Sequence, residues 1–349
     1  MNDRKKLATI YDIAKRVDLA PSTISRVLNN IGYISEETRT KVLSAAKKLN
    51  YRPNHIAKSL KTSETKQIIL AISFIDEIFN FDMITAVQEI VQNNAYSLIL
   101  FYTGANEKEE LKIIDSLSQN NADALILTTV NISSRIFQKI NQTNKPCVVS
   151  CFCRYNNEDI PFDYVGVDTK KGIYLATKHL IDQGHTKISY IGANKNILEG
   201  SERYSGYCLA MEQSGLTIDE DFVFLGEHNE LFGYESARKL IKLGKLPTAI
   251  CAATDLIAIG VYRALENSDI RVPEDIAITG MDNIHFCSYI KPKLTSVSIV
   301  QEEIGRMAAN IIFDRLKQNT EEKHKNIVFE PRLIVRESSI NYSDRNKQK

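Results

Sequence analysis

Apolar residues in the first fifty positions recur at helical spacing, in three short sets separated by polar breaks. Ile10, Ile13, Ala14 and Val17 form the first set, opened by Thr9 as N-cap with Asp12 three residues later. Asp18-Leu19 breaks it. Pro21 suits the first turn of a second helix whose Ile24, Val27 and Leu28 form the buried face. That leaves Ser22, Thr23, Ser25, Arg26 and Asn29 pointing outward. Asn29-Asn30 and Gly32 end this helix, and Ser35 with Glu36 and Glu37 opens a third, with Val42, Leu43, Ala46 and Leu49 spaced for the same core. Two short helices joined by a tight turn, the second outwardly polar, form a helix-turn-helix.

From residue 67 onward the period changes. Short apolar, β-rich runs occur at 67–73, 97–102, 122–128, 147–151, 187–191, 248–252 and 275–279. Helical patterns at 84–93, 111–119, 171–183, 234–243 and 256–267 separate most of them. Alternation of this kind predicts parallel sheets with helices on both faces.

The chain has 349 residues, 43% hydrophobic and 25% charged, with a formal charge of +1, an ordinary globular composition. That small net charge hides a division. Residues 1–66 carry 14 Lys and Arg against 6 Asp and Glu, a balance of +8, so the remainder stands at −7. A basic head on an acidic body points to a polyanion partner, although a solvated basic surface gives the same count. No apolar run approaches the roughly 18 residues of a membrane span, and Met1–Lys6 is not a signal sequence, so a cytoplasmic protein with no membrane partner is expected. Six cysteines without a CxxC pair predict reduced thiols and no structural zinc. GxGxxG, Walker A, HExxH and GxSxG are all absent, so no cofactor, metal or catalytic residue is assigned. His179 and His185 read as structural.

Ala8-Thr9-Ile10-Tyr11-Asp12-Ile13-Ala14-Lys15, Ser22-Thr23-Ile24-Ser25-Arg26-Val27-Leu28-Asn29 and Asn50-Tyr51-Arg52-Pro53-Asn54 closely resemble the DNA-binding head of the lactose-repressor (LacI/GalR) family. The resemblance implies that the second helix enters the major groove. Pro21 and Ser22 would then lie near base edges, and Arg26 would make a bidentate contact to guanine O6/N7. Tyr11, Thr23, Ser25 and Asn29 would hold phosphates. Two departures stand out. Asp18 occupies a turn position where the family often has Gly. Ala20 replaces the usual Ser, removing an N-cap worth about 1 kcal/mol.

After Pro53, with Asn54 as N-cap, His55–Leu60 is too short to hold a helix alone. The resemblance makes it a hinge helix that folds on DNA, with small Ala57 close to the minor groove. Leu60 would wedge between base pairs, the alternative being a core leucine.

The resemblance extends through Val165-Gly166-Val167-Asp168, His179–His185, Arg203-Tyr204-Ser205-Gly206-Tyr207 and Pro292-Lys293-Leu294-Thr295-Ser296-Val297. It implies a small all-α helix-turn-helix domain followed by an α/β periplasmic-binding-protein-like core. That core would be two doubly wound parallel-sheet lobes joined by three crossings near 164, 292 and 326. The divisions expected are a head at 1–52, hinge and linker at 53–65, the effector and dimerisation core at 66–340, and a polar tail at 341–349.

Ligands of such sheets lie beyond the strand carboxyl ends. The resemblance assigns Arg203, Thr254, Asp255 and Asp282 to an effector, with Asp255 equally able to cap its helix. In the first lobe, Asp76-Glu77-Ile78-Phe79-Asn80-Phe81 replaces the usual Asp-x-x-Asn-Pro-Phe. Asp76 remains a candidate contact, and Phe79 or Phe81 would stack on a sugar or join the core. Cys151-Phe152-Cys153-Arg154 stands where relatives often carry an acid or an arginine, and buried thiols are expected there. The implied function is a homodimeric regulator of carbohydrate-utilisation genes that binds operator DNA and responds to a small sugar-like effector. A sugar receptor or enzyme on the same core is the alternative. The tail lacks leucine heptads, which argues for a dimer rather than a tetramer.

Overall fold

The computed structural model describes residues 8–51, 64–73, 80–130, 132–151, 162–194, 198–266, 268–317 and 323–340. The chain divides into two compact units, Met1–Thr65 and Lys66–Lys349.

The first unit holds α1 (Ile10–Val17), α2 (Pro21–Leu28) and α3 (Glu36–Lys48). Thr9 and Asp12 close a reciprocal capping box on α1, each side chain bonding the other's backbone N–H. Asp18 ends the helix in a left-handed conformation, φ 56° and ψ 51°. Ala20 gives α2 no side-chain cap, so Pro21, with no N–H to satisfy, begins it. Ile13, Val17, Ile24, Val27, Val42, Ala45 and Ala46 form the core. Leu43 was expected there but is 48% exposed. The buried stripe of α3 runs 42, 45, 46 and 49, and Leu43 lies one residue, about 100°, off it.

The second unit contains two six-stranded sheets. The first lobe is built from β1 (Gln67–Ile72), α4 (Asn80–Asn93), β2 (Ser97–Tyr102), α5 (Glu107–Ser118), β3 (Ala124–Thr128), α6 (Ser134–Asn141), β4 (Cys147–Cys151) and β5 (Asp163–Val167). The second runs through α7 (Thr169–Asp182), β6 (Ile188–Ala193), α8 (Leu198–Gln213), β7 (Val223–Gly226), α9 (Glu230–Leu243), β8 (Ala249–Ala252), α10 (Asp255–Leu265), β9 (Ala277–Asp282) and β10 (Thr295–Ser298). Then α11 (Gln301–Lys317) and β11 (Asn326–Phe329) return to the first lobe, and β12 (Arg332–Ile334) to the second.

The first sheet has the order β11-β5-β4-β3-β1-β2 and is parallel throughout. The second, β12-β10-β9-β8-β6-β7, is parallel except for β12 against β10. The crossings follow Val167 and Ser298 and span 330–331. Those expected near 164 and 326 fall instead inside β5 and β11, and the one near 292 precedes β10, because each strand completes its pairing before the chain changes lobe. Arg315 of α11 grips both carboxylate oxygens of Asp163, at 2.9 and 2.8 Å, and the Lys325 N–H donates to the same side chain. One buried carboxylate thus ties α11, β5 and β11 together.

Most expected helices begin two to four residues before their apolar pattern, because a first turn is polar when it carries its own cap; Asn106, Asp168 and Asn229 all cap in this way. Cys147 on β4 is a buried free thiol and Cys151 on the same strand is buried, whereas Cys153 lies outside the described residues. His179 pairs with Ser339 and His185 with Thr248, at 2.8 and 3.1 Å, which suits structural roles.

Candidate nucleic-acid interface and effector cleft

On the head, α2 buries Ile24 and Val27 and turns its polar residues outward. Pro21, Ser22, Arg26 and Asn29 are exposed, Thr23 and Ser25 half-buried, and Tyr11 of α1 is 73% exposed. Asn29 donates from Nδ2 to the Ser25 carbonyl at 2.8 Å, so its amide completes the end of α2. Gly32 has φ +73°, and a Cβ there would come within 2.5 Å of Arg26 Nη2. The guanidinium lies over Gly32, whose left-handed backbone favours glycine. Asn54, Ala57 and Leu60 of the expected hinge lie outside the described residues.

In the core unit, the carboxyl ends of the second-lobe strands bring charged side chains together. Arg203 on α8 is 2% exposed. Its Nη1 donates to the Ala253 carbonyl just after β8, at 2.5 Å. Its Nη2 lies 2.5 Å from Glu199 Oε1, one helical turn earlier, and 3.6 Å from Asp282 Oδ1. Asp282 ends β9 with φ 112°, a strained backbone for a side-chain-bearing residue, and Asn283 follows at φ 55°. Arg203 and Asp282 were both singled out from sequence; Glu199 was not.

Two more members escaped sequence reasoning. His228 follows β7, and its buried Nε2 makes no hydrogen bond among the described residues. Burial pushes its pKa down to about 4, with Glu199 acting against the shift and Arg203 reinforcing it, so the imidazole is neutral at pH 7. Gln301, at the start of α11, is 5% exposed, and neither its amide nitrogen nor its oxygen has a hydrogen-bond partner among the described residues. It lines a small pocket with Asp282, Ser298 and His285 from the second lobe and Asp82 from the first. His285 Nε2 and Asp82 Oδ1 stand 4.0 Å apart across the pocket mouth. A strand after 222 and a helix from 301 were not marked in the sequence, so neither residue could be placed at a strand end. A roomier cavity beside Lys187, Phe222 and Lys245 lies at the strands' amino ends, away from this cluster.

Two expected contacts also bond within the fold. The Thr254 hydroxyl caps α10, accepting from the Ile257 N–H at 3.2 Å. Asp255 neither caps that helix nor reserves its carboxylate for a ligand. Oδ1 accepts from Ser296 Oγ at 2.6 Å, and Oδ2 from the Ile284 N–H and the Cys287 thiol at 2.9 and 3.1 Å. Burial pushes its pKa up, and these three donors act against the shift. Asp255 clamps the β9 and β10 ends, setting the backbone from which Asp282 projects. In the first lobe, Phe81 is 62% exposed and so is not core; Asp76 and Phe79 lie outside the described residues. Among the described residues no group of three or more His, Cys, Asp or Glu is placed to hold a metal ion, and no helix is long and apolar enough to cross a membrane.

A polar-faced helix-turn-helix and a two-lobed core with a polar cleft define a DNA-binding regulatory protein with a built-in sensor. Profiles agree: bacterial regulatory proteins of the lacI family match residues 9–54, and periplasmic binding protein-like domains match 177–339. The chain is 33% identical over 337 residues to the HTH-type transcriptional repressor PurR of Actinobacillus pleuropneumoniae, covering 96% of this chain and 99% of that one. The PurR repressor of Haemophilus influenzae is 33% identical over 336 residues, covering 95% and 98%. This protein belongs to the LacI family of bacterial regulatory proteins, and it is a DNA-binding regulator rather than an enzyme.

Solved structures are alike in fold. The Lac repressor dimer bound to operator and the anti-inducer ONPF has a TM-score of 0.83 at 22% identity, covering 96% of this chain and 100% of that one. The complex of the transcriptional regulator CelR with cellobiose has a TM-score of 0.69 at 28% identity, covering 95% and 99%. A LacI-family regulator from Enterococcus faecium with bound ribose scores 0.68 at 26% identity, covering 78% and 98%.

Proposed function

We propose that the protein is a cytoplasmic repressor of carbohydrate-utilisation genes that binds a pseudo-palindromic operator as a homodimer and is controlled by a small sugar-like effector. The observation that carries the effector half is the buried Glu199–Arg203–Asp282 cluster at the strand ends, with the unpartnered amide of Gln301 beside Asp282. Carboxylates and guanidinium in a low-dielectric cleft bind hydroxyl groups through charge-assisted hydrogen bonds. The relatives with cellobiose and ribose bound support a sugar as effector. Asp76, Phe79 and Phe81 are first-lobe contacts in this reading, with the aromatic rings stacking on the sugar.

On DNA, residues 1–52 form the head, with Pro21, Ser22 and Arg26 at base edges and Tyr11, Thr23, Ser25 and Asn29 on phosphates. Residues 53–65 form the hinge, with Asn54 as its cap and Ala57 and Leu60 in the minor groove. Residues 66–340 form the sensing and dimerising core. Support for a second copy comes from β2, an edge strand whose Leu100, Phe101 and Tyr102 are 42%, 41% and 53% exposed. An apolar edge of this kind invites a partner chain.

Arg26→Ala tests the DNA half. Across a set of single-base operator variants it is expected to lose roughly 1–3 kcal/mol of discrimination at one base pair per half-site. An unchanged preference would remove α2 from the major groove. Arg203→Ala tests the effector half, with operator binding retained and the sugar response abolished.

A further inference from the structure

We infer that the effector cleft accepts an uncharged polyhydroxy ligand and rejects its phosphate esters, with Gln301 as a specificity-determining contact. This rests on the reading of the cleft as the effector site and specifies the chemistry it takes. Two neutral side chains there, Gln301 and His228, have buried polar atoms with no hydrogen-bond partner among the described residues. Gln301 offers an NH₂ donor and a carbonyl acceptor, both buried and both unused, in the pocket that Asp282 also lines. His228 Nε2 is buried and unused, and its ring carries no positive charge at neutral pH. A buried polar group without a partner is costly, so all three atoms favour a ligand that supplies donors and acceptors without charge.

The cation in the cluster is already committed. Arg203 faces two carboxylates, Glu199 and Asp282, and gives a further N–H to the Ala253 carbonyl. A phosphate group could be gripped only by drawing that guanidinium away from both acids and settling beside them in a low-dielectric site. A ligand hydroxyl has no such conflict, because it donates to a carboxylate that the arginine already holds in place. A cationic amine meets the opposite difficulty, since it would sit against the guanidinium. Asp82 and His285 at the mouth are exposed and screened, so they bias entry less than the buried set does.

The experiment is a thermal-shift and calorimetric panel on the full-length protein. It uses cellobiose, ribose, glucose and further uncharged mono- and disaccharides, ribose 5-phosphate, glucose 6-phosphate and glucosamine. Stabilisation by at least one uncharged sugar is expected, with any phosphate ester of it at least about 100-fold weaker in Kd. Gln301→Ala is expected to weaken that sugar by about tenfold while leaving the melting temperature of the free protein nearly unchanged, since the amide bonds nothing in the free chain. A phosphate ester or glucosamine that binds as tightly as the parent sugar would overturn this inference and leave the sugar-effector reading standing. Unchanged sugar affinity in Gln301→Ala would overturn the role given to that residue. If no member of the panel binds, the inference falls together with the reading on which it rests.

Discussion

Asp255 and Asp282 lie 27 positions apart in sequence and meet at the same strand ends, yet they do opposite work. Asp255 is fully buried and bonded through both oxygens to the fold, whereas Asp282 stands beside Arg203 on a strained backbone. Residue type does not separate the two roles; position does, since Asp255 bonds the backbone and side chains of the fold while Asp282 lines the pocket. A third buried acid is visible only through its surroundings. Glu110 on α5 is 2% exposed, and its Oε1 has no hydrogen-bond partner among the described residues. Burial raises its pKa to about 7, with Thr129 acting against the shift and Glu107 reinforcing it. Between its ordinary value and about 7 the folded protein holds a proton that the unfolded chain has released, so stability falls as pH rises through that window. Glu110→Gln is expected to flatten this slope and to gain about 1–2 kcal/mol over wild type at pH 8 relative to pH 5. Urea unfolding across that range checks it, and parallel curves for the two proteins would dismiss Glu110 as the source.

At the scale of elements, helix ends carry much of the local information. Thr9, Ser35, Asn106, Ser133 and Asn229 all cap through their side chains. Helix α2, the helix proposed to enter the major groove, lacks such a cap. Ala20→Ser is expected to stabilise it by about 1 kcal/mol by giving one orphan N–H a partner. The gain should appear as slower amide exchange in α2 and tighter operator binding; unchanged exchange would mean that the hydroxyl does not reach the helix. The unmarked helix α8 shows the converse. Its sequence, with Gly200, Ser201, Ser205 and Gly206, is a poor helix former. Packing supplies the compensation: a Cβ at Gly206 would collide with the Lys170 carbonyl of α7, so glycine is what lets the two helices approach closely.

At the scale of the whole molecule, the proposed regulation is a coupling between two ligands, operator DNA and the effector. An effector releases the operator only through a difference in affinity for two states of the protein, and the coupling is reciprocal. Calorimetric titration of the sugar with and without operator is therefore expected to show weaker sugar binding on DNA, by the same factor as the sugar weakens operator binding. Equal affinities would refute inducer action, and tighter binding on DNA would make the sugar a co-repressor. On the proposal that Leu60 wedges between base pairs, Leu60→Ala is expected to shrink the factor.

The sequence by itself determined what depends on neighbours a few residues away. Helical spacing and caps marked α1 to α3. Apolar runs marked β1 to β4, β6, β8 and β9; all of these except the edge strand β2 are covered on both faces and so apolar along their length. Family motifs marked Arg203 and Asp282 as candidates. The short edge strands β7, β11 and β12 carried too weak a local pattern, since edge positions leave side chains partly in solvent, and β10, though buried between two neighbours, is a four-residue run of Thr, Ser, Val and Ser. What only the tertiary structure decided is which carboxylate is spent on the fold and which faces the pocket. It also brought His228, Glu199 and Gln301 to the same strand ends from three separate stretches of chain. Burial and hydrogen-bond satisfaction are properties of the assembled interior, where an amide or imidazole costs free energy until something pairs with it. No spacing rule records that debt, because the atoms that leave it unsettled arrive from distant parts of the chain.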